Sequence, residues 1–250
     1  MGLGAYRTRT DIGYRVPVRQ WHGFCINSQS MKTRLSLIAT AILGSAVSMA
    51  VPYSYIHWIS ITNGSGGSAS GTITLPDSST VGVTYSGEVN FGQKSSEGTF
   101  YWTNPSTYQS ALIDNAPNTN DIITMIGGND ANVNTLTFSR PVTNLAMDIL
   151  SFGQSGQPVS YIFDHDFTIQ NSGAGYWGNG PLGQSNPHTL TGEEGHGVIM
   201  FADPLTTLSW TAPHSENWYG FTAGVSGAVP EPSSLLALAG SMLILKRRRK

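Results

Sequence analysis

Between Val81 and Phe91 the chain alternates strictly: Val81, Val83, Tyr85, Gly87, Val89 and Phe91 are interleaved with Gly82, Thr84, Ser86, Glu88 and Asn90. A period of two puts one set of side chains on each face of an extended chain, whereas a helix, repeating about every 3.6 residues, would scatter the same residues around its circumference. The same alternation recurs in Leu145-Ala146-Met147-Asp148-Ile149, Val159-Ser160-Tyr161-Ile162-Phe163 and Thr207-Leu208-Ser209-Trp210-Thr211. Val198 to Ala202 is continuously apolar, the pattern of a strand covered on both faces. Turn signals at Asn63-Gly64, Gly66-Gly67, Gly127-Gly128-Asn129 and Gly178-Asn179-Gly180 separate these runs. No stretch between residues 51 and 229 keeps the three-and-four spacing of an amphipathic helix. The expected fold is all-β: one antiparallel β-sandwich over residues 51–229, a jelly roll or a related Greek key. Gln170 to Asn186, with five glycines, reads as a long surface loop.

Charge divides the chain as sharply as periodicity does. Thirteen Lys and Arg residues oppose fifteen Asp and Glu residues, yet only Lys94 and Arg140 lie between 51 and 229. That stretch carries thirteen carboxylates, a formal charge of −11 for the expected sandwich. Such a body repels phosphate backbones and anionic lipid, which excludes nucleic acid as a partner for it.

The cations sit at the ends. From Met31 the run MKTRLSLIATAILGSAVSMA has Lys32 and Arg34 ahead of an apolar stretch, Leu35 to Val47, and then small residues at Ser48 and Ala50. This order of charge, apolar segment and small-residue site is that of a signal peptide, so 31–50 is expected to be a signal helix cut after Ala50 by signal peptidase. Residues 1–30, basic and aperiodic, are expected to be either a disordered extension or the product of a start codon placed too far upstream of Met31. Cys25, the single cysteine, falls there, so the expected mature protein has no thiol chemistry and no disulfide.

At the other end Pro230-Glu231-Pro232 precedes thirteen mostly apolar residues, Ser233 to Leu245, and the basic run Lys246, Arg247, Arg248, Arg249, Lys250. The prolines stop a preceding strand, the apolar segment partitions into a bilayer, and the basic cluster stays cytoplasmic. Thirteen residues fall short of the roughly 20 that an isolated spanning helix needs. The flanking motifs decide the reading: residues 230–250 resemble the PEP-CTERM sorting signal. The resemblance implies a short C-terminal apolar helix, transient insertion in the inner membrane, processing by an exosortase, and a body exported to the cell surface or the extracellular matrix. It covers only this tail.

Three groups in the body are candidates for chemistry. Tyr176, Trp177, Trp218 and Tyr219, with Tyr101 and Trp102 further off, offer flat faces with polar edges, which proteins stack on sugar rings. Trp210, alternating with Ser and Thr, is expected to be core, and adjacent Trp218 and Tyr219 are expected to point to opposite faces. Asp164 and Asp166, alternating across His165, are candidate metal ligands, but calcium takes six to eight oxygens, and Asn129, Asp130, Asn132 or Asp121 would have to converge on them. Otherwise no cofactor is expected. Glu193, Glu194 and Glu216, near His196 and His214, are candidate acids and bases of a hydrolase, although neighbouring glutamates on a strand face opposite ways. No nucleophile elbow, zincin motif, nucleotide-binding glycine loop or zinc ribbon occurs. The expected function is that of an exported surface or matrix protein with a structural or carbohydrate-binding body and exopolysaccharide as candidate partner; a secreted polysaccharide hydrolase is the alternative.

Overall fold

The structure is a computed structural model that describes residues 49–228. The signal segment up to Ser48, Pro230, Glu231 and Pro232, the apolar segment and the basic tail from Lys246 to Lys250 lie outside the described residues.

The chain runs through β1 (Ser54–Tyr55), β2 (His57–Thr62), β3 (Gly64–Thr74), β4 (Thr80–Val89) and β5 (Gly92–Gln93). A long segment with one 3₁₀ turn, Pro105–Tyr108, then leads to β6 (Ile122–Met125). The paired strands that follow are β7 (Asn129–Thr143), β8 (Leu145–Phe152), β9 (Val159–Phe163) and β10 (Thr168–Ser172). The remainder are β11 (Leu182–Asn186), β12 (Thr189–Gly192), β13 (Gly195–Phe201), β14 (Leu205–Ala212), β15 (Tyr219–Val225) and β16 (Gly227–Ala228).

They form two antiparallel sheets. One has the order β10-β13-β8-β15-β6-β5, with β1 added to β15; the other has the order β11-β12-β9-β14-β7-β4-β3-β2, with β16 added to β7. The all-β class therefore holds. From β6 to β10 and again from β12 to β15 the chain changes sheet at every connection.

The inward face of β4 is the one its alternation predicts: Val81, Val83, Tyr85 and Val89 are buried. Gly87 interrupts the apolar series because a Cβ there would run into Asn134 of β7, and its φ of 150° suits glycine alone. Aromatic rings join the two sheets across a shared core. Tyr85 and Trp210 of the larger sheet lie 5.6 and 5.2 Å from Phe221 of the smaller, Tyr161 lies 4.5 Å from Phe152, and Phe163 lies 5.1 Å from Phe201. Trp210 is thus core, as its alternation with Ser and Thr predicts.

The smaller sheet is covered on its outer face as well. Tyr53, Tyr55 and Ile113 pack on Ala146 and Val198, while Trp102, Tyr108 and Ala116 pack on Ile122 and Leu150. This second layer explains why Leu145 to Leu150 is buried at every position, where alternation predicted a half-exposed strand. It also bears out Val198 to Phe201 of the continuous apolar run as a strand covered on both sides, whereas Ala202, the last residue of that run, lies beyond the strand and is exposed.

One correction follows. Gln170–Asn186 is not one long loop, because β10 and β11 claim its two ends and the loop proper is 173–181. Its polar residues hid those strands: all five residues of β10 are at least partly exposed, and Gly183 to Asn186 of β11 likewise face outward at least in part.

Candidate functional site

The loop 173–181 carries Tyr176 and Trp177 and is held from both sides. Asn104 donates through Nδ2 to the carbonyls of Ala174 and Gly175 at 3.1 and 3.2 Å, and Thr107 donates through Oγ1 to Ala174 at 2.7 Å. Across the loop, Gly173 N donates to His196 O at 3.1 Å and Gly180 N to Glu194 O at 2.9 Å. A Cβ on Gly180 would strike the Glu193 carbonyl, and one on Gly175 the His196 ring. These glycines let the loop lie directly against the β12–β13 turn.

So anchored, the loop completes an aromatic surface. Trp177 lies 4.5 Å from Tyr176, 5.2 Å from Tyr101 and 4.7 Å from Trp218, and Trp218 lies 5.0 Å from Phe91. Tyr176 and Trp177 keep 40% and 42% of their surface, which is high for side chains of this size in mutual contact. Tyr101, Trp218 and Phe91 are half-buried. Trp218 faces out and Tyr219 faces in, as adjacent strand-like positions must. Tyr219 is therefore removed from the ligand-binding candidates: it is fully buried, stacked edge-on against Phe152 at 5.2 Å. Trp102, also buried, belongs to the layer beneath.

Beside the aromatics opens a cavity of about 230 Å³ lined by Ser151, Gln154, Trp177, Glu194, Glu216, Asn217 and Trp218. A β-bulge borders it: the β8–β13 register shifts so that Leu150 and Ser151 of β8 stand opposite the single His196 of β13, and Ser151 lines the cavity. Ser151 N donates to His196 Nδ1 at 3.2 Å, which places the ring proton on Nε2. Burial holds the His196 pKa down at about 4, against an opposing pull from the Trp177 backbone carbonyl. Ser151 and Glu194 both adopt left-handed backbone conformations, with φ of 52° and 58°, and both line the cavity. Strain of this kind persists where the surroundings enforce it.

Of the three glutamates, the structure brings two together. Glu194 and Glu216 share the cavity, while exposed Glu193 turns away and accepts a hydrogen bond from Gly156 N. Glu216 is 8% exposed, and its Oε1 accepts from Gly153 N at 3.3 Å. Burial pushes its pKa up to about 8; the Gly153 hydrogen bond opposes this and the Glu194 charge adds to it. Burial thus favours its protonated form, which can donate as well as accept. The rim is amide: Asn217 Nδ2 donates to Gln154 Oε1 at 3.2 Å, and Gln157 donates to the Ser215 carbonyl. His214 sits apart, its Nδ1 3.0 Å from Ser160 Oγ.

The metal candidates do not assemble. Asp164 accepts from His165 Nδ1 at 2.7 Å and from Ser209 N at 3.0 Å, while Asp166 pairs with His188 at 3.2 Å. Asp121 is occupied elsewhere by Trp58 N, and Asn129 and Asn132 cap local backbone or Ser65. Among the described residues no group of three His, Cys, Asp or Glu could hold a metal ion.

A cluster hidden from sequence reading is His57, Ser95 and Asp121. One nitrogen, His57 Nδ1, lies 3.0 Å from Ser95 Oγ and 3.1 Å from Asp121 Oδ2, while Ser95 donates directly to Asp121 at 2.7 Å. A nucleophilic relay needs the imidazole between serine and carboxylate, using both nitrogens. This one is a clamp on β2. Phe91, Ser151, Gln154 and Asn217 of the aromatic site also went unseen, because only the bulge and the loop contacts bring them together.

Among the described residues no helix is long and apolar enough to cross a membrane. Comparison with protein-family models, curated proteins and solved structures finds no match.

Proposed function

We propose that this chain is an exported surface or matrix protein whose body is a carbohydrate-binding jelly roll. The observation that carries the binding reading is the continuous surface of Tyr101, Tyr176, Trp177 and Trp218 opening into a cavity of carboxyl and amide groups. Apolar ring faces beside hydrogen-bonding groups match the alternating C–H and hydroxyl surfaces of a pyranose. The orders β6-β15-β8-β13 and β7-β14-β9-β12 within the two sheets are those of paired Greek keys, which supports the jelly-roll assignment.

Export rests on the sequence at the two ends. Val51, the first residue after the expected cleavage point, is tied by its N–H to Leu112 O at 3.2 Å and by its carbonyl to Asp114 N at 3.1 Å, so the expected new terminus belongs to the packed body. Intact mass of protein from the medium and outer surface should correspond to a chain beginning at Val51 and ending near Pro230. A mass retaining Lys250, with the protein held at the inner membrane, would overturn the sorting reading. On a panel of polysaccharide gels the same material should be retained, and Trp177→Ala should lose about 1 kcal/mol or more of that affinity, the contribution of one stacked aromatic. Equal retention of variant and wild type would remove the aromatic site.

A second reading is favoured by one observation. Glu216, held protonated near neutral pH, shares its cavity with Glu194, the pairing of a general acid with a carboxylate that glycoside hydrolysis uses. Shortening of a bound glycan, abolished by Glu216→Gln, would turn the binding module into an enzyme.

A further inference from the structure

Among the described residues, the cavity between Trp177 and Trp218 holds two carboxyl groups and no positive charge. The body's two Lys and Arg side chains are committed elsewhere: Lys94 pairs with Glu97 at 2.8 Å, and Arg140 donates to Ser79 at 2.7 Å. Glu216 is more than nine-tenths buried. One of its oxygens takes the single long hydrogen bond from Gly153, and the other has no protein partner among the described residues. The titratable groups around it are Glu194 across the cavity, Tyr161 and Tyr219 on the core side, and His196 behind Ser151. None supplies a cation at neutral pH.

A buried carboxyl beside a second carboxylate is stable only if it stays protonated or finds a counter-charge. In the free protein burial favours the first; the walls offer an arriving cation the second, in which it takes the place of that proton. The faces of Trp and Tyr carry negative quadrupole potential and attract an ammonium group within about 6 Å. Trp177 and Trp218 stand edge to face at 4.7 Å, so they present differently oriented surfaces to the same space. At larger scale the formal charge of −11 on residues 51–229 draws in cationic polymers and repels polyuronates.

We propose that this cavity binds the free, protonated amine of a hexosamine residue in a polysaccharide, with Trp177 and Trp218 against the ring and Glu194 and Glu216 on the ammonium. The assignment rests on the carbohydrate-binding reading and names its ligand class. An N-acetylated residue presents a neutral, bulkier amide and leaves Glu194 without a counter-charge.

The test uses the body, residues 51–229, recovered as secreted, titrated at pH 6 with the glucosamine trimer and, separately, with the N-acetylglucosamine trimer, following tryptophan fluorescence. The free-amine trimer should bind about tenfold more tightly or better, the gain expected from a partly desolvated ammonium on carboxylates and aromatic faces. Glu194→Gln, at the half-exposed side of the cavity, and Glu216→Gln should each lose most of this preference. Equal affinity for the two trimers, or a preference for the acetylated one, overturns the assignment and leaves carbohydrate binding standing. The assignment also falls if only neutral glycans of other kinds bind. If no glycan of any class binds, both readings fall together.

Discussion

At the scale of the residue, environment decides what one side-chain type does. Trp177 and Trp210 are both tryptophans beside small or polar neighbours, yet one is two-fifths exposed in a loop and the other is sealed between sheets. The alternation Thr-Leu-Ser-Trp-Thr identified Trp210 as core from sequence, because a strand's period assigns faces unambiguously. Tyr219 defeated the same logic. Without a register for Trp218-Tyr219, the sequence fixes that the two side chains oppose each other but not which one meets water. Glu194 was equally illegible, since nothing in Glu193-Glu194-Gly195 announces a left-handed backbone that aims the second carboxylate into a cavity.

Titration follows from these placements. Glu216 has its pKa raised in the folded protein, from an ordinary 4.5 to about 8, so the folded state holds a proton that the unfolded chain releases. Its contribution is complete below about pH 4.5 and is lost as pH rises towards 8. Asp148, fully buried and also raised, acts in the same direction. His196, lowered to about 4, acts oppositely and withdraws stability as pH falls from 6.5 towards 4. Thermal denaturation between pH 5 and 8 should therefore show Glu216→Gln losing stability less steeply with rising pH than the wild type does. Parallel slopes would mean that Glu216 ionises freely in the folded protein.

At the scale of the element, the aromatic loop owes its shape to residues far from it in sequence. Asn104 precedes a one-turn 3₁₀ segment about 70 positions earlier, and its amide bridges two successive loop carbonyls. Asn104→Ala should cost about 1 kcal/mol, the usual net worth of such hydrogen bonds. It should also speed limited proteolysis within 174–179 and weaken glycan binding several-fold, a split readable by pairing urea denaturation with fluorescence titration. Unaltered cleavage and affinity would show the loop to be held by its glycine contacts alone. Strands with a buried apolar face, such as β4 and β9, were legible; β10 and β11 were not. Their side chains are mostly polar, so pairing with β13 and β12 defines them rather than any pattern of their own.

At the scale of the whole molecule, the all-β class was visible in the sequence from its periodicity, while the address proposed for the two ends rests on the order of charge and hydropathy alone. The second layer over the smaller sheet was not, because residues 94–121 carry Trp102, Tyr108 and Ile113 without any repeat. The shared aromatic core makes the sheets interdependent, since Tyr85, Tyr161, Phe163 and Trp210 of the larger sheet pack against Phe152, Phe201 and Phe221 of the smaller. Far-ultraviolet and near-ultraviolet circular dichroism should consequently report one coincident unfolding transition for 51–229. Two separated midpoints would mean that one sheet survives the loss of the other.

The pairing at the chain ends has a mechanical consequence. Ser54 of β1 lies opposite Val225 of β15, and two residues further on β16 is zipped to β7 in the other sheet. A pull on the chain beyond Ala228 first meets the two-residue β16, which can peel away bond by bond. It then reaches β15, an interior strand flanked by β8 and β6. Force on a body tethered at this end would pass from a short sacrificial seam into the best-bonded part of the smaller sheet, so the fold should yield in two steps, with a small extension preceding a much higher rupture load.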